Sequence, residues 1–180
     1  DESGDLYGGT TATINKTCYV FRFANSANLV TAIKPLDSKI KGQTGIKNAL
    51  DLGPEGYMYG GTSNYRDVLY PPVSQGPDRS YEGGRLFRFK TGGAIEIEDL
   101  GLVLASEGIR TLVVDRLRGK LYGLTEPSYR FFVYDLKTKT VVVNQKVDLL
   151  KKEDNAIQNL QLVKLGRTLA VGSNGKVYGS

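Results

Sequence analysis

The stretch that decides the fold is residues 107–147, EGIRTLVVDRLRGKLYGLTEPSYRFFVYDLKTKTVVVNQKV. Residues 109–115 are apolar and β-branched, as is typical of a buried strand. A turn ending in Gly119 leads to a second apolar segment at 120–125, which Pro127 ends because proline cannot donate to a sheet ladder. Segments 130–135 and 140–147 follow, joined by a turn at 136–139. The stretch therefore predicts four consecutive antiparallel strands, which we call a, b, c and d.

Weaker copies of this stretch lie on either side of it. Strand b recurs as DLYGGT, YMYGGT, KLYGLT and TLAVGS, which begin at Asp5, Tyr57, Lys120 and Thr168. Strand c recurs as YVFRF, RLFRF, RFFVY and KVYGS, which begin at Tyr19, Arg85, Arg130 and Lys176. Sequence repeats of about 40–50 residues that each hold several strands are the pattern of a β-propeller.

The repeats predict one all-β domain, residues 1–180, built of four-stranded antiparallel meanders. It holds two complete blades, at 46–100 (with strand d at 94–98) and 109–147, and two partial blades, at 1–36 and 157–180. The first blade lacks strand a and the last lacks strand d. Because propellers usually close with about four to eight blades, we expect further blades of a larger propeller to complete the ring. The alternative is a ring that closes on itself or with another chain.

Composition excludes several kinds of chemistry. The chain has no histidine, which removes Ser-His-Asp triads, His-ligated zinc and histidine general bases. Cys18 is the single cysteine, so neither an internal disulfide nor a cysteine metal cluster is expected. Residues 148–155, DLLKKEDN, lack the alternating oxygen ligands and the glycine of a calcium loop. We therefore expect no cofactor and no metal.

Charge and hydropathy indicate the kind of partner. The net charge is +5 and the pI is about 9.2, which makes a polyanion such as an acidic glycan a plausible partner. The basic residues form no continuous stripe, so nucleic acid is not expected. No apolar run approaches the roughly 18 residues of a membrane span. The sequence does not fix the compartment; we favour an extracellular or periplasmic one.

The loops of such a repeat predict where a ligand would bind. The b–c and d–a connections emerge on one face of the ring, which we call the loop face, and the long insertion at 63–84, SNYRDVLYPPVSQGPDRSYEGG, lies there. Tyrosine stacks on a sugar ring and arginine binds a carboxylate with two donors. The predicted ligand-binding residues of this insertion are Tyr65, Arg66, Tyr70, Arg79 and Tyr81. The alternative is that the insertion packs on a neighbouring blade or subunit.

Two further predicted ligand-binding residues, Glu107 and Arg110, lie where a d–a loop meets an inner strand, at the mouth of the central channel. Polar residues at such a position bind a ligand, or bind ordered water and strand ends. The recurring Tyr-Gly pairs, such as Tyr59-Gly60, indicate packing, since glycine allows close approach. Arg22 and Arg88 repeat in strand c, and we expect them on a solvated face.

Residues 108–135, GIRTLVVDRLRGKLYGLTEPSYRFFVYD, resemble a blade of the NHL, kelch and YVTN-like group of β-propellers. In that group a strand ending in Asp, a turn with Gly, an LYG-type strand and a VYD-type strand follow one another. The resemblance extends over the chain blade by blade, with the last repeat departing from it by losing the Asp and the VYD. It implies the fold and no particular activity, because relatives include interaction scaffolds, sugar-binding modules and polysaccharide lyases.

Two hypotheses of function follow. The first is a non-enzymatic binding or assembly module, with a protein partner or an acidic glycan on the loop face. The second is a polysaccharide lyase or related enzyme acting on acidic glycans, with Tyr as base and Arg or Lys neutralising the uronate.

Overall fold

The computed structural model describes residues 1–12, 17–64, 81–147 and 168–179. The strands are β1 Leu6–Gly9, β2 Tyr19–Ala24, β3 Leu29–Pro35, β4 Leu50–Leu52, β5 Tyr57–Gly61, β6 Arg85–Lys90, β7 Glu98–Leu102, β8 Gly108–Asp115, β9 Lys120–Glu126, β10 Arg130–Asp135, β11 Thr140–Lys146, β12 Leu169–Val171 and β13 Val177–Gly179. Short 3-10 turns at Leu36–Ser38 and Pro54–Gly56 are the helical elements of these residues, so no helix there could span a membrane.

The strands form antiparallel sheets whose order follows the chain. The second sheet is β4-β5-β6-β7 and the third is β8-β9-β10-β11, each a four-stranded meander. The first sheet contains β1-β2-β3, and β12-β13 form a hairpin. The predicted all-β fold of four-stranded, propeller-like blades is therefore confirmed.

The outer strand of the second sheet begins later in the sequence than predicted. The sequence AIEIE at 94–98 alternates as a strand does, but the outer strand β7 is Glu98–Leu102. Ile95 and Ile97 instead fill the core between the first and second sheets, at 4% and 5% exposure. The alternation that predicted a strand thus reflects two isoleucines buried by a neighbouring sheet.

Successive sheets pack face to face. The core between the first and second sheets contains Cys18, Val20, Leu36, Ile40, Ile46, Met58, Phe87, Phe89, Ile95 and Ile97. The core between the second and third contains Ala49, Tyr59, Leu86, Val103, Ile109, Leu112, Val114, Leu121, Phe132 and Tyr134. The inner strands lie side by side: Asn48 forms a parallel bridge with Thr111, and β8 has β4 on one side and β12 on another. This is the arrangement of inner strands in consecutive propeller blades.

The Tyr-Gly pairs serve packing, as predicted. In three of these pairs the glycine lies directly opposite a phenylalanine of strand c: Gly8 opposite Phe21, Gly60 opposite Phe87, and Gly123 opposite Phe132. A Cβ on any of these glycines would lie 2.1–2.3 Å from the ring's Cζ. The ring occupies the space over the glycine, so only a residue without a side chain fits.

The last repeat is displaced by one strand from its prediction. Leu169 pairs with Gly179 as Leu112 pairs with Gly123 and Leu50 pairs with Gly60. The β12 strand lies beside β8 in the position of an inner strand. Leu169–Val171 is therefore strand a and Val177–Gly179 is strand b, whereas the sequence analysis assigned TLAVGS and KVYGS to b and c. The residues predicted to hold strand a, from 157, lie outside the described part.

Arg22 and Arg88 do not lie on a solvated face, because the next sheet covers that face. The Arg22 side chain is 19% exposed, with its Nε 3.3 Å from Asp5 Oδ2. Arg88 donates from Nε to Glu98 Oε2 at 2.7 Å, and its guanidinium lies 4.3 Å from the centre of the Tyr57 ring. That hydrogen bond from Arg88 lowers the pKa of Glu98.

Candidate functional site

A threonine at the end of strand b anchors each b–c loop of the loop face. Its Oγ1 accepts a hydrogen bond from the backbone N–H that begins strand c, which closes the base of the loop. The bonds are Tyr19 to Thr10 at 2.9 Å, Arg85 to Thr62 at 2.8 Å and Arg130 to Thr125 at 3.1 Å. The enclosed loops differ greatly in length. One repeated hydrogen bond thus holds loops of any length on the same scaffold.

The same hydroxyl joins the b–c loop to the neighbouring d–a loop. Thr62 Oγ1 donates to Gln43 Oε1 at 2.8 Å, and Thr125 Oγ1 donates to Glu107 Oε2 at 2.8 Å. Gln43 and Glu107 both end a d–a loop. Because each threonine is buried and uses its donor as well as its acceptor capacity, the two kinds of loop are positioned together.

Tyr81 anchors the end of the long insertion. Its hydroxyl donates to Gln43 Oε1 at 3.0 Å, and Gln43 Nε2 donates to Gly83 O at 3.0 Å. The Tyr81 side chain is buried, at 8% exposure. The other predicted residues of the insertion, Tyr65, Arg66, Tyr70 and Arg79, lie outside the part of the chain that the structure describes.

Replacing Thr62 by valine tests this anchor. Valine has the shape of threonine but neither the donor nor the acceptor, so the Arg85 N–H and Gln43 lose a partner in a fully buried position. We expect a loss of about 1–3 kcal/mol in the free energy of unfolding, measured by urea denaturation. Thr62→Ser keeps both hydrogen bonds and serves as the control. An equal loss in the two variants would contradict the anchor.

A buried ion cluster lies between the second and third sheets on the same face. Glu126 is 1% exposed; its Oε2 accepts from Arg110 Nη1 at 2.8 Å, and its Oε1 accepts from Ser63 Oγ at 3.0 Å and from Lys47 Nζ. Lys47 lies just before β4, the inner strand of the second sheet, and Arg110 lies near the start of β8, the inner strand of the third. Two cations therefore share one carboxylate.

The predicted site residues Arg110 and Glu107 both form hydrogen bonds within the protein, Arg110 with the ion cluster and Glu107 with the neighbouring b–c loop. Arg110 is 7% exposed and donates to Glu126, although its Nε has no hydrogen-bond partner. Glu107 accepts from Thr125 and, at 2.5 Å, from Ser128 Oγ, so it braces the b–c loop of the third sheet. Both residues have protein partners here, and their contact with a ligand remains a prediction.

Sequence reasoning missed Glu126, Ser63, Gln43 and Thr62. The available signals were the threonine that ends three copies of strand b and the parallel sequences Gly-Ile-Lys at 45–47 and Gly-Ile-Arg at 108–110. These place a cation directly after each Ile that packs on the preceding sheet. In the first and second sheets, the position that corresponds to Glu126 holds Thr11 and Ser63.

A cleft of about 390 Å³ lies where the inner strands meet. Its lining includes Lys47 of the ion cluster, together with Tyr7, Asn48, Asp51, Thr111 and Thr168. Apolar side chains such as Leu50 and Leu112 line the cleft as well, and it borders the ion cluster through Lys47.

No protein-family model matches the sequence, and no curated protein is similar to it in sequence. Among solved structures, the chain is similar to the crystal structure of the WD40 repeats of RRP9, at 8% sequence identity and a TM-score of 0.49. The match covers 77% of this chain and 38% of the RRP9 chain. The strand order, pairing register and sheet packing define the propeller-like blades independently of this similarity.

Proposed function

We propose that the protein is a non-enzymatic binding or assembly module of propeller type, which engages its partner through the loop face. The observation that carries the proposal is the threonine anchor, which repeats in three sheets and, at Thr62 and Thr125, also links the b–c loop to a d–a loop. Such anchoring holds binding loops in place before a partner arrives, so that less conformational entropy is lost on binding. The side chains that form the threonine anchor hold the loops in place and carry out no reaction in this proposal.

The long insertion is the proposed contact surface. Tyr65, Arg66, Tyr70 and Arg79 supply flat rings and bidentate donors, and Tyr81 fixes the end of the insertion to the scaffold. Glu107 and Arg110 stand at the base of the adjoining loops. This set, with the net charge of +5, suits a partner rich in carboxylates, either an acidic protein surface or a uronate glycan.

The double variant Arg66→Ala with Arg79→Ala tests this surface. We expect at least about tenfold weaker binding of polygalacturonate or of an Asp- and Glu-rich peptide, because each lost charged hydrogen bond contributes about 1.5–3 kcal/mol. Calorimetry measures the affinity, and a thermal melt checks that the variant is folded.

The matched control is Arg116→Ala with Arg118→Ala, which removes the same charge from the opposite face. Equal weakening in both double variants would show attraction by net charge alone and would contradict the assignment, as would binding by neither probe. Ultraviolet-absorbing unsaturated products from polygalacturonate would instead establish the lyase alternative.

A further inference from the structure

Two cationic residues lie directly opposite each other where β10 begins and β11 ends. Arg130 pairs with Lys146 in the register of these strands, so both side chains project from the same face of the sheet. Like charges in directly opposite positions destabilise a strand pair. Within the described ranges, neither residue forms an ion pair with a carboxylate. The charges of this pair are therefore not neutralised by any carboxylate of those residues.

The second sheet supplies a carboxylate at the same place. Arg85 begins β6 as Arg130 begins β10, and Arg85 Nη2 lies 2.8 Å from Asp99 Oδ2. Asp99 pairs with the third residue of β6, and the uncharged Asn144 pairs with the third residue of β10. Asn144 Oδ1 accepts a hydrogen bond from Arg130 Nε at 2.5 Å. In the third sheet an amide therefore positions the guanidinium without neutralising its charge.

The residue opposite the arginine also differs between the two sheets. Leu102 pairs with Arg85 in the second sheet, whereas Lys146 pairs with Arg130 in the third. The third sheet thus has an amide in place of the carboxylate and a second cation in place of the leucine. Both differences favour the binding of an anion between Arg130 and Lys146.

The residue before Arg130 carries an aromatic ring on a strained backbone. Tyr129 has a φ of 53°, in the left-handed region, which is uncommon for a bulky side chain. Its carbonyl oxygen accepts from Val147 N at 3.0 Å, and Arg130 N donates to Thr125 Oγ1 at 3.1 Å. The Tyr129 side chain is partly exposed, and among the described residues it has no hydrogen-bond or ring partner. Conformations of this kind recur at ligand-binding sites.

We infer that Arg130 and Lys146 bind a carboxylate of a uronate glycan and that the sugar ring stacks on Tyr129. A carboxylate attached to a sugar ring is the class of ligand that uses both the cations and the flat aromatic ring. Ser63 Oγ donates to Glu126 Oε1 at 3.0 Å, which joins the base of the long insertion to the base of this loop. The inference rests on the proposed function and adds a second contact of the same ligand on the loop face.

Asn144→Asp tests the anion site, because it introduces the carboxylate that Asp99 provides for Arg85. This internal carboxylate would compete with the ligand, so we expect polygalacturonate to bind at least about tenfold more weakly in calorimetry. Gln145→Glu is the matched control, since it adds the same charge to the same strand. Gln145 pairs with Phe131 and projects from the opposite face of the sheet, so its replacement should leave the affinity close to that of the wild type.

Lys146→Gln and Tyr129→Gly test the other two residues of the site. Lys146→Gln removes one of the two cations and should weaken the binding of polygalacturonate by about tenfold. Glycine accepts a positive φ without strain, so Tyr129→Gly removes the ring alone and should also weaken binding. Lys137→Gln, in the c–d turn on the opposite face, is the control for a lost positive charge. Thermal melts check that the variants are folded.

Equal weakening by Asn144→Asp and Gln145→Glu would overturn the inference, because net charge would account for it. Unchanged affinity in Asn144→Asp would overturn it too, and the proposed function would still stand if Arg66→Ala with Arg79→Ala weakened binding. Unchanged affinity in Tyr129→Gly would contradict the stacking of the sugar. Binding of the acidic peptide but not of polygalacturonate would overturn the glycan site alone. If neither probe bound the wild type, the proposed function would fail as well.

Discussion

Replacing Glu126 by alanine is expected to lower the free energy of unfolding by about 3–5 kcal/mol. Glu126 is 1% exposed, and it is the carboxylate that Arg110 and Lys47 share. Without it, two cationic groups that are largely removed from water lose the carboxylate that lies between them. Glu126 then no longer offsets the cost of burying their charge, and Ser63 also loses its acceptor.

Glu98 offers a matched control for this prediction. It too lies between an arginine and a lysine, with Arg88 Nε at 2.7 Å and Lys139 Nζ at 3.0 Å, but its side chain is 42% exposed. Water screens this pair of contacts, so Glu98→Ala should cost no more than about 1 kcal/mol. Urea denaturation of both variants gives the comparison. Equal losses in the free energy of unfolding would show that burial does not strengthen the contribution of Glu126, and would contradict the prediction.

Much of the fold could be predicted because the sequence patterns that specify its strands and turns are local. Apolar alternation within residues 107–147, the turn at Gly119 and the break at Pro127 are each encoded within a few residues. The last repeat shows the limit of such signals. TLAVGS resembles the strand b pattern, and a–b and b–c hairpins have the same antiparallel geometry. Only a long-range contact, β12 beside β8, distinguishes the two assignments.

The candidate site was harder to predict because its contacts join distant segments. Arg110 was correctly placed at the start of an inner strand, but its burial depends on Glu126 of strand b and on Lys47 of another sheet. Glu126 precedes Pro127 and seemed only to begin a loop. The role of Thr62 likewise appears only when Gln43, from a d–a loop, is brought to its hydroxyl.

Replacing Gly60 by valine should lower the free energy of unfolding by about 3 kcal/mol, at the upper end of the cost of overpacking a core. A Cβ at Gly60 would lie 2.1 Å from Phe87 Cζ, and Phe87 is 0% exposed, so the ring has nowhere to move. Intrinsic strand propensity would give the opposite sign, since valine is favoured over glycine in strands. A measured loss of stability would therefore show that the clash with the Phe87 ring outweighs strand propensity.

Gly93→Val is the control, because a Cβ at Gly93 meets nothing within 4 Å, and we expect it to be close to neutral. Gly8→Val should have an intermediate effect. Its Cβ would lie 2.3 Å from Phe21 Cζ, but Phe21 is only partly buried and can shift. Its loss should fall between those of Gly93→Val and Gly60→Val when all three are unfolded in urea. If Gly8→Val cost as much as Gly60→Val, the glycine itself, rather than the confinement of the ring between two sheets, would account for the repeated pair.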